Sequence, residues 1–181
     1  MLRRALARAL LFTAGVCSAR GPASTSPCQA SEARQFDFWL GTWDLTGRTR
    51  AQPGSALWQE TRSTNTIRST MDGCVTREDF ENVAPQRWTG MSVSVWSPRS
   101  HAWQQTWVDS QGSYIPLTGG FHDGRMILTT APRAFPAGDT VVNHMVFHDI
   151  AQDSLVWDWE ASRDAGRTWE LMWSITYRRR K

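Results

Sequence analysis

From Thr42 onward no window of the chain sustains a helical repeat of apolar residues. Short β-rich runs alternate with turn residues about ten times over. The runs are Thr42 to Thr49, Ala56 to Ser69, Cys74 to Asn82, Trp88 to Trp96, Ala102 to Asp109, Ser113 to Leu117, Arg125 to Ala131, Thr140 to Ile150, Ser154 to Ser162 and Thr168 to Arg178. Asp72-Gly73, Ser97 to Ser100, Gln111-Gly112, Asp123-Gly124, Pro136 to Asp139 and Gln152-Asp153 punctuate them with residues suited to tight turns. Joins this short favour neighbouring antiparallel strands, so the pattern predicts an all-β, about ten-stranded up-and-down barrel. A sandwich is the alternative, but the Cys, Trp, Cys spacing of its immunoglobulin form is absent.

The stretch Phe36-Asp37-Phe38-Trp39-Leu40-Gly41-Thr42-Trp43 gathers four large aromatics around a Gly-x-Trp step. Glu32 to Leu40 reads as a short helical plug for one barrel end. Gly41 permits a sharp bend, and Trp43 opens the first strand. Strand alternation then orients the rest. Trp169, Leu171, Trp173, Ile175 and Tyr177 share one face of the last run and are expected inside. Trp103, Gln105, Trp107 and Asp109 share another, since two indoles are poorly placed in water while Ala102 and Val108 fill the core.

The 181 residues fit one domain and a leader. Residues 1–19 have the form of a signal peptide: Arg3, Arg4 and Arg8, then an apolar stretch, then Cys17-Ser18-Ala19. Residues 20–31 read as a flexible leader and residues 32–181 as the domain, which places the protein in the periplasm or outside the cell. Cys17 leaves with the signal or, alternatively, carries a lipid. No run approaches the roughly 18 apolar residues of a membrane-spanning helix. Removing the three leader arginines leaves seventeen basic residues against seventeen acidic ones, and Arg178 to Lys181 form the only basic cluster, which does not make a nucleic-acid footprint. Cys28 and Cys74 then remain as an even pair in an exported chain and are expected to form one disulfide. The sequence leaves the oligomeric state open.

Eleven Trp residues dominate the composition. They either fill the barrel, which would give it a structural role, or line a cavity that stacks on a flat or apolar ligand. On the second reading Trp103, Gln105, Trp107 and Asp109 face the cavity together with Glu78, His144, Trp157, Trp159 and Trp173. The polar groups Gln105, Asp109, Glu60 and Glu78 then orient the ligand. His144 and His148, four apart on a strand, stand about 13 Å from each other and do not share a metal. A single His can still bind haem axially, and His144 is the candidate. Nucleophile elbows, metalloprotease helices and phosphate loops are missing, and Glu78 and Asp79 point to opposite strand faces. An enzyme in the same cavity, haem-dependent or cofactor-free, is therefore the alternative to a binding module.

Four motifs carry a resemblance. Gly41-x-Trp43 after an aromatic turn resembles the opening of lipocalin and related calycin barrels. That likeness implies that a basic residue near the C-terminus lies over Trp43, and strand parity selects Arg179. Ser162, Asp164, Gly166, Thr168 and Trp169 resemble the Asp-box, a structural hairpin, with Trp169 expected to anchor its strand in the core. With Asp72-Gly73-Cys74-Val75 and Trp103 to Ser110 added, residues 32 to 180 look like a family of exported bacterial proteins of unknown function with a lipocalin-like barrel. At the level of fold the chain is similar to nitrobindin-type haem barrels, although no motif here fixes their haem His.

Overall fold

The computed structural model describes residues 27–134 and 140–181. The signal peptide and most of the leader expected from the sequence lie outside the described residues. Three 3₁₀ turns, Pro27–Gln29, Glu32–Arg34 and Asp37–Trp39, lead into β1 (Gly41–Thr49). There follow β2 (Gln59–Thr70), β3 (Val75–Ala84), β4 (Trp88–Ser97), β5 (Ala102–Asp109), β6 (Tyr114–His122), β7 (Arg125–Thr130), β8 (Arg133–Ala134), β9 (Thr140–His148), β10 (Ser154–Ser162) and β11 (Glu170–Arg179). Every neighbour pair is antiparallel. β1 bonds to both β2 and β11, and β9 to both β7 and β10, so ten strands close on themselves while β8 only bridges the edge of β9. Closure removes the exposed edges that an open sheet would present.

The strands follow the sequence runs closely, with one instructive extension. β6 continues beyond Leu117, where the sequence run ends, through Gly119 and Gly120 to His122 at the Asp123-Gly124 turn. Gly119 is required there because a Cβ would strike the Ile127 carbonyl of β7. β11 departs from simple alternation: Trp159 pairs with Trp173 but Glu160 pairs with Leu171, leaving Met172 as a bulge. This one-residue slip reverses the faces before it. Leu171 and Trp169 therefore turn outward, and Trp169 stacks on His144 outside the barrel, with centroids 3.5 Å apart, instead of anchoring the core.

One end of the barrel is closed by aromatics. Phe36 and Trp39, each 1% exposed, drop from the 3₁₀ turns onto Trp103 and Phe147. Trp43 Nε1 donates to the Trp39 carbonyl at 2.8 Å. Arg179 is the cross-strand partner of Trp43, and its guanidinium carbon lies 4.0 Å from the indole centroid. The same guanidinium donates to the carbonyls of Leu40 at 2.6 Å, Phe38 at 3.2 Å and Gln152 at 2.8 Å. Gly41 bends at φ +129°, and a Cβ there would collide with Arg179. Cys28 and Cys74 are bonded, with Cα atoms 4.7 Å apart, fastening the start of the described chain to the β2–β3 turn.

Replacing Arg179 with Ala should lower unfolding free energy by about 2 to 3 kcal/mol, because three carbonyls lose a charged donor and Trp43 loses its cover. Urea titration measures it, and an unchanged midpoint would show that water serves the carbonyls equally well. Replacing both Cys28 and Cys74 with Ser should cost a further ~4 kcal/mol in the chain-entropy picture of the 46-residue separation, read as a lower urea midpoint.

Candidate functional site

The barrel interior is two-sided. On the β2–β5 wall the inward positions include Thr61, Ser63, Asn65, Thr76, Glu78, Asn82, Ser92, Ser94 and Gln105, all buried and polar. The facing wall, from β6 round to β11, supplies Leu117, Met126, Leu128, Met145, Phe147, Leu155, Ile175 and Tyr177. Buried polar side chains must find partners, and these pair across neighbouring strands. Ser63 donates to Asn82 Oδ1 at 2.9 Å, Gln105 Nε2 to Ser94 Oγ at 2.8 Å, Asn65 Nδ2 to Glu78 Oε1 at 2.6 Å, and Ser92 Oγ to Glu78 Oε2 at 2.7 Å.

Between the walls lies a cavity of about 260 Å³. Trp39 of the plug and Glu78 and Tyr177 form its inner part. Phe80, Trp88, Trp107, Trp157, Trp159 and Trp173 make a continuous aromatic wall, with ring centroids 5.1 to 6.3 Å apart. Asp109 and Gln111, at the β5–β6 turn, mark the end away from the plug. Gly90 makes room for the wall, since a Cβ at that position would run into the Trp107 ring. Thus six of the eleven indoles line the space. Trp43, Trp96 and Trp103 pack at the plugged end, and Trp58 lies beneath Arg48 and Arg50 at the opposite rim.

Glu78 is 6% exposed. Burial pushes its carboxyl up to about 7, against the hydrogen bonds from Ser92 and Asn65 that lower it and with the charge of Asp79 adding to the rise. Tyr177, whose hydroxyl accepts from Asn65 at 3.1 Å, is also driven upward by burial and by the Glu78 charge, so it stays neutral. Asp109 behaves in the opposite way. Burial raises it, but donation from Trp107 Nε1 at 3.0 Å and from the backbone N–H groups of Ser113 and Gln111 outweighs burial and holds its carboxyl below the usual range. Three buried polar atoms along the inner wall and floor have no protein partner: Trp39 Nε1, Asn65 Oδ1 and Gln105 Oε1.

Of the residues singled out in the sequence, Glu78, Trp107, Asp109, Trp157, Trp159 and Trp173 meet on this cavity. Trp103 and Gln105 face inward but sit beside it, Trp103 under Phe36 with its Nε1 donating to Gln35 at 3.1 Å. His144 does not belong to the interior. Its neighbours Met145 and Phe147 take the inward positions of β9, which leaves His144 outside, bonded to Glu160 and covered by Trp169. Glu60 is likewise outward and exposed, next to inward Thr61. With His144 outside, none of the described residues lining the cavity offers haem an imidazole, so the histidine side of the haem reading does not fit this site. The Asp164 hairpin is an outer feature. The carboxyl accepts from the Thr168 hydroxyl and backbone and from Ser162, bonds that bring it down to about 2.

The sequence pattern of one family matches residues 29–179, a family described as proteins of unknown function, DUF1579. The chain belongs to the DUF1579 family. No curated protein matches this DUF1579 member in sequence. Among solved structures, the S-type phycobiliprotein lyase CPES from Guillardia theta is similar over 85% of this chain and 95% of its own, at 13% identity and a TM-score of 0.56. A protein of unknown function of the DUF3598 family from Nostoc punctiforme aligns over 84% of this chain and 100% of its own, at 9% identity and a TM-score of 0.25. The likeness to the lyase is one of fold, a lipocalin-like barrel.

Glu78 binds its proton more tightly when folded than when unfolded, where an ordinary carboxyl titrates near 4.5. Its contribution therefore favours the folded state below that value and is lost as pH rises through about 7. Glu78→Gln should match the parent protein at pH 4 and exceed it at pH 8, by something on the order of 3 kcal/mol. Urea unfolding at the two pH values checks this; equal differences at both would show that the carboxyl is not held up by burial.

Proposed function

We propose that the protein is an exported binding module that holds a small, flat and largely apolar molecule in its Trp-lined cavity. The observation that carries this reading is the incompletely filled interior. Five indoles and Phe80 surround about 260 Å³ at one end of a barrel whose other end is plugged, with a few polar groups at the bottom. Ligand sites are mostly apolar pockets with a small number of oriented polar groups. A purely structural barrel would have used that space for side chains, as small barrels do. The volume lies just below the range of about 300 to 1,000 Å³ usual for drug-sized ligands, which suits a molecule of one or two rings. The similar fold of a phycobiliprotein lyase supports a ligand-holding barrel only at the level of fold. Export rests on the form of residues 1–19, to which the Cys28–Cys74 bond adds support.

Cofactor-free catalysis in the same cavity is the second reading, and one observation favours it. Glu78 is a buried carboxyl raised to about 7, where a general base is most useful. The groups that meet it are the Asn65 amide, the Ser92 hydroxyl at 2.7 Å and, beside them, Tyr177.

Native mass spectrometry of protein purified from its own host should show a retained small molecule. In its absence, 2-naphthol added to the purified protein should quench tryptophan emission saturably with one site. Trp107→Ala and Trp173→Ala should each weaken that binding by roughly tenfold, consistent with the loss of about 1 to 2 kcal/mol of ring contact, while far-ultraviolet circular dichroism stays unchanged. Quenching that never saturates, or equal affinity in both variants, would discard the cavity as the site.

A further inference from the structure

We infer that the cavity selects an organic cation: a flat or apolar molecule carrying an ammonium-type nitrogen, which lies against the aromatic wall and points its charge at Glu78. This rests on the binding reading above and assigns the chemistry of the ligand.

Among the described residues, the charged groups that line the cavity are both acidic, Glu78 and Asp109, and none is basic. Glu78 sits deep, each carboxyl oxygen taking one hydrogen bond from a neutral side chain, Asn65 or Ser92. A carboxylate oxygen can accept more than one such bond. Acceptors also outnumber donors among the unpartnered atoms nearby. Asn65 Oδ1 and Gln105 Oε1 are open acceptors, against the single donor Trp39 Nε1. A bound anion would meet two carboxyl groups without a basic partner among the described lining residues. A cation instead meets complementary charge.

The aromatic wall points the same way. Indole faces attract cations through the ring quadrupole, and the attraction grows when water is excluded. Phe80, Trp88, Trp107 and Trp173 contact one another edge to face or tilted, so their planes enclose the space from several directions. Asp109, fixed by Trp107 and the turn amides at the other end of the cavity, keeps its negative charge and favours entry of a cation.

Three probes of one skeleton test the assignment by isothermal calorimetry at pH 8: 1-naphthylmethylamine, 1-naphthalenemethanol and 1-naphthoate. The amine should bind at least about tenfold more tightly than the alcohol, and the anion more weakly than either, since a bond to a charged group is worth roughly twice a neutral one. Glu78→Gln should bring the affinities for the amine and the alcohol within about threefold of each other, binding of the alcohol to the same variant showing that the cavity is intact. The groups facing the Glu78 carboxyl are Asn65 of β2, Ser92 of β4 and Tyr177 of β11. Asp79, on the opposite face of β3, is engaged by Arg68 and Arg77. Only Glu78 among them changes charge near neutrality, and the amine stays protonated there. Affinity for the amine should therefore rise as pH increases from 6 to 8, with no such trend for the alcohol or for the Glu78→Gln variant. Equal binding of amine and alcohol overturns the cation assignment and leaves the apolar cavity standing. Failure of all three probes to bind overturns both readings.

Discussion

The bond between the last strand and the plug decides what kind of barrel this is. Arg179 is reached only after β11 has run the length of the barrel. There it spreads over Trp43 and collects carbonyls from Phe38 and Leu40, at the exit of the last 3₁₀ turn, and from Gln152. The first two belong to the exit of a 3₁₀ turn and the third to the β9–β10 turn, backbone outside the sheet ladder whose carbonyls need a donor from elsewhere. A guanidinium satisfies three at once because its donors radiate in one plane. With the plugged end fixed by this contact and by the Cys28–Cys74 bond, Phe36, Phe38 and Trp39 can be spent on sealing that end, and the remaining space is forced toward the other.

That displacement of space explains why the interior is two-sided. A filled barrel needs only apolar inward residues, yet β2 presents Thr61, Ser63 and Asn65, and β4 presents Ser92 and Ser94. Each of these carries a desolvation cost that hydrogen bonds only offset. Their arrangement is ordered across strands, with Ser63 on Asn82, Asn65 and Ser92 on Glu78, and Gln105 on Ser94. A sheet wall so built is a poor contributor to stability. It is a good recognition surface when an apolar wall faces it across an incompletely filled space.

The fold was legible because two periodicities in the sequence are unambiguous. β5 and β10 begin and end where alternation and turn residues place them, and the pairing of Cys28 with Cys74 follows from their being the two cysteines outside the expected signal peptide. The site was legible in part. Trp107, Asp109, Trp157, Trp159 and Trp173 follow from parity alone. Asn65 was not visible, because Thr61, Ser63, Asn65 and Ile67 alternate on a strand where both faces are polar, and nothing local tells which face is buried; Ser92 was not visible, because Met91, Val93 and Val95 make the other face of its strand the apolar one. Tyr177 and Phe80 could have been added to the cavity: Tyr177 was already placed inward, and Phe80 shares the face of Glu78. His144 was misplaced because its own strand offers apolar residues on both faces, Val146 on its side and Met145 and Phe147 on the other. Trp169 and Leu171 failed for a different reason. A bulge at Met172 is a property of two strands pairing, and no single-strand pattern records it.

The distribution of indoles shows how one residue type can serve opposite needs in a small barrel. Trp43 and Trp103 are at most 1% exposed, and each has its N–H bonded, to Trp39 and Gln35 respectively. That is how a buried indole contributes area without leaving a donor stranded. At the cavity the constraint changes, because a ring that lines an open space needs support only from behind and beside it. Trp107 lies across Gly90 and is steadied by Asp109, while Trp173 leans on Thr61. These rings border the cavity, and an indole face turned to open space attracts positive charge as well as flat apolar surface. The same aromatic composition therefore closes one half of the barrel and equips the other, and the division falls where Trp39 and Tyr177 meet Glu78. Because the boundary is set by Glu78, Asn65 and Ser92 and not by the barrel geometry, barrels of similar fold can carry different residues there and hold different molecules.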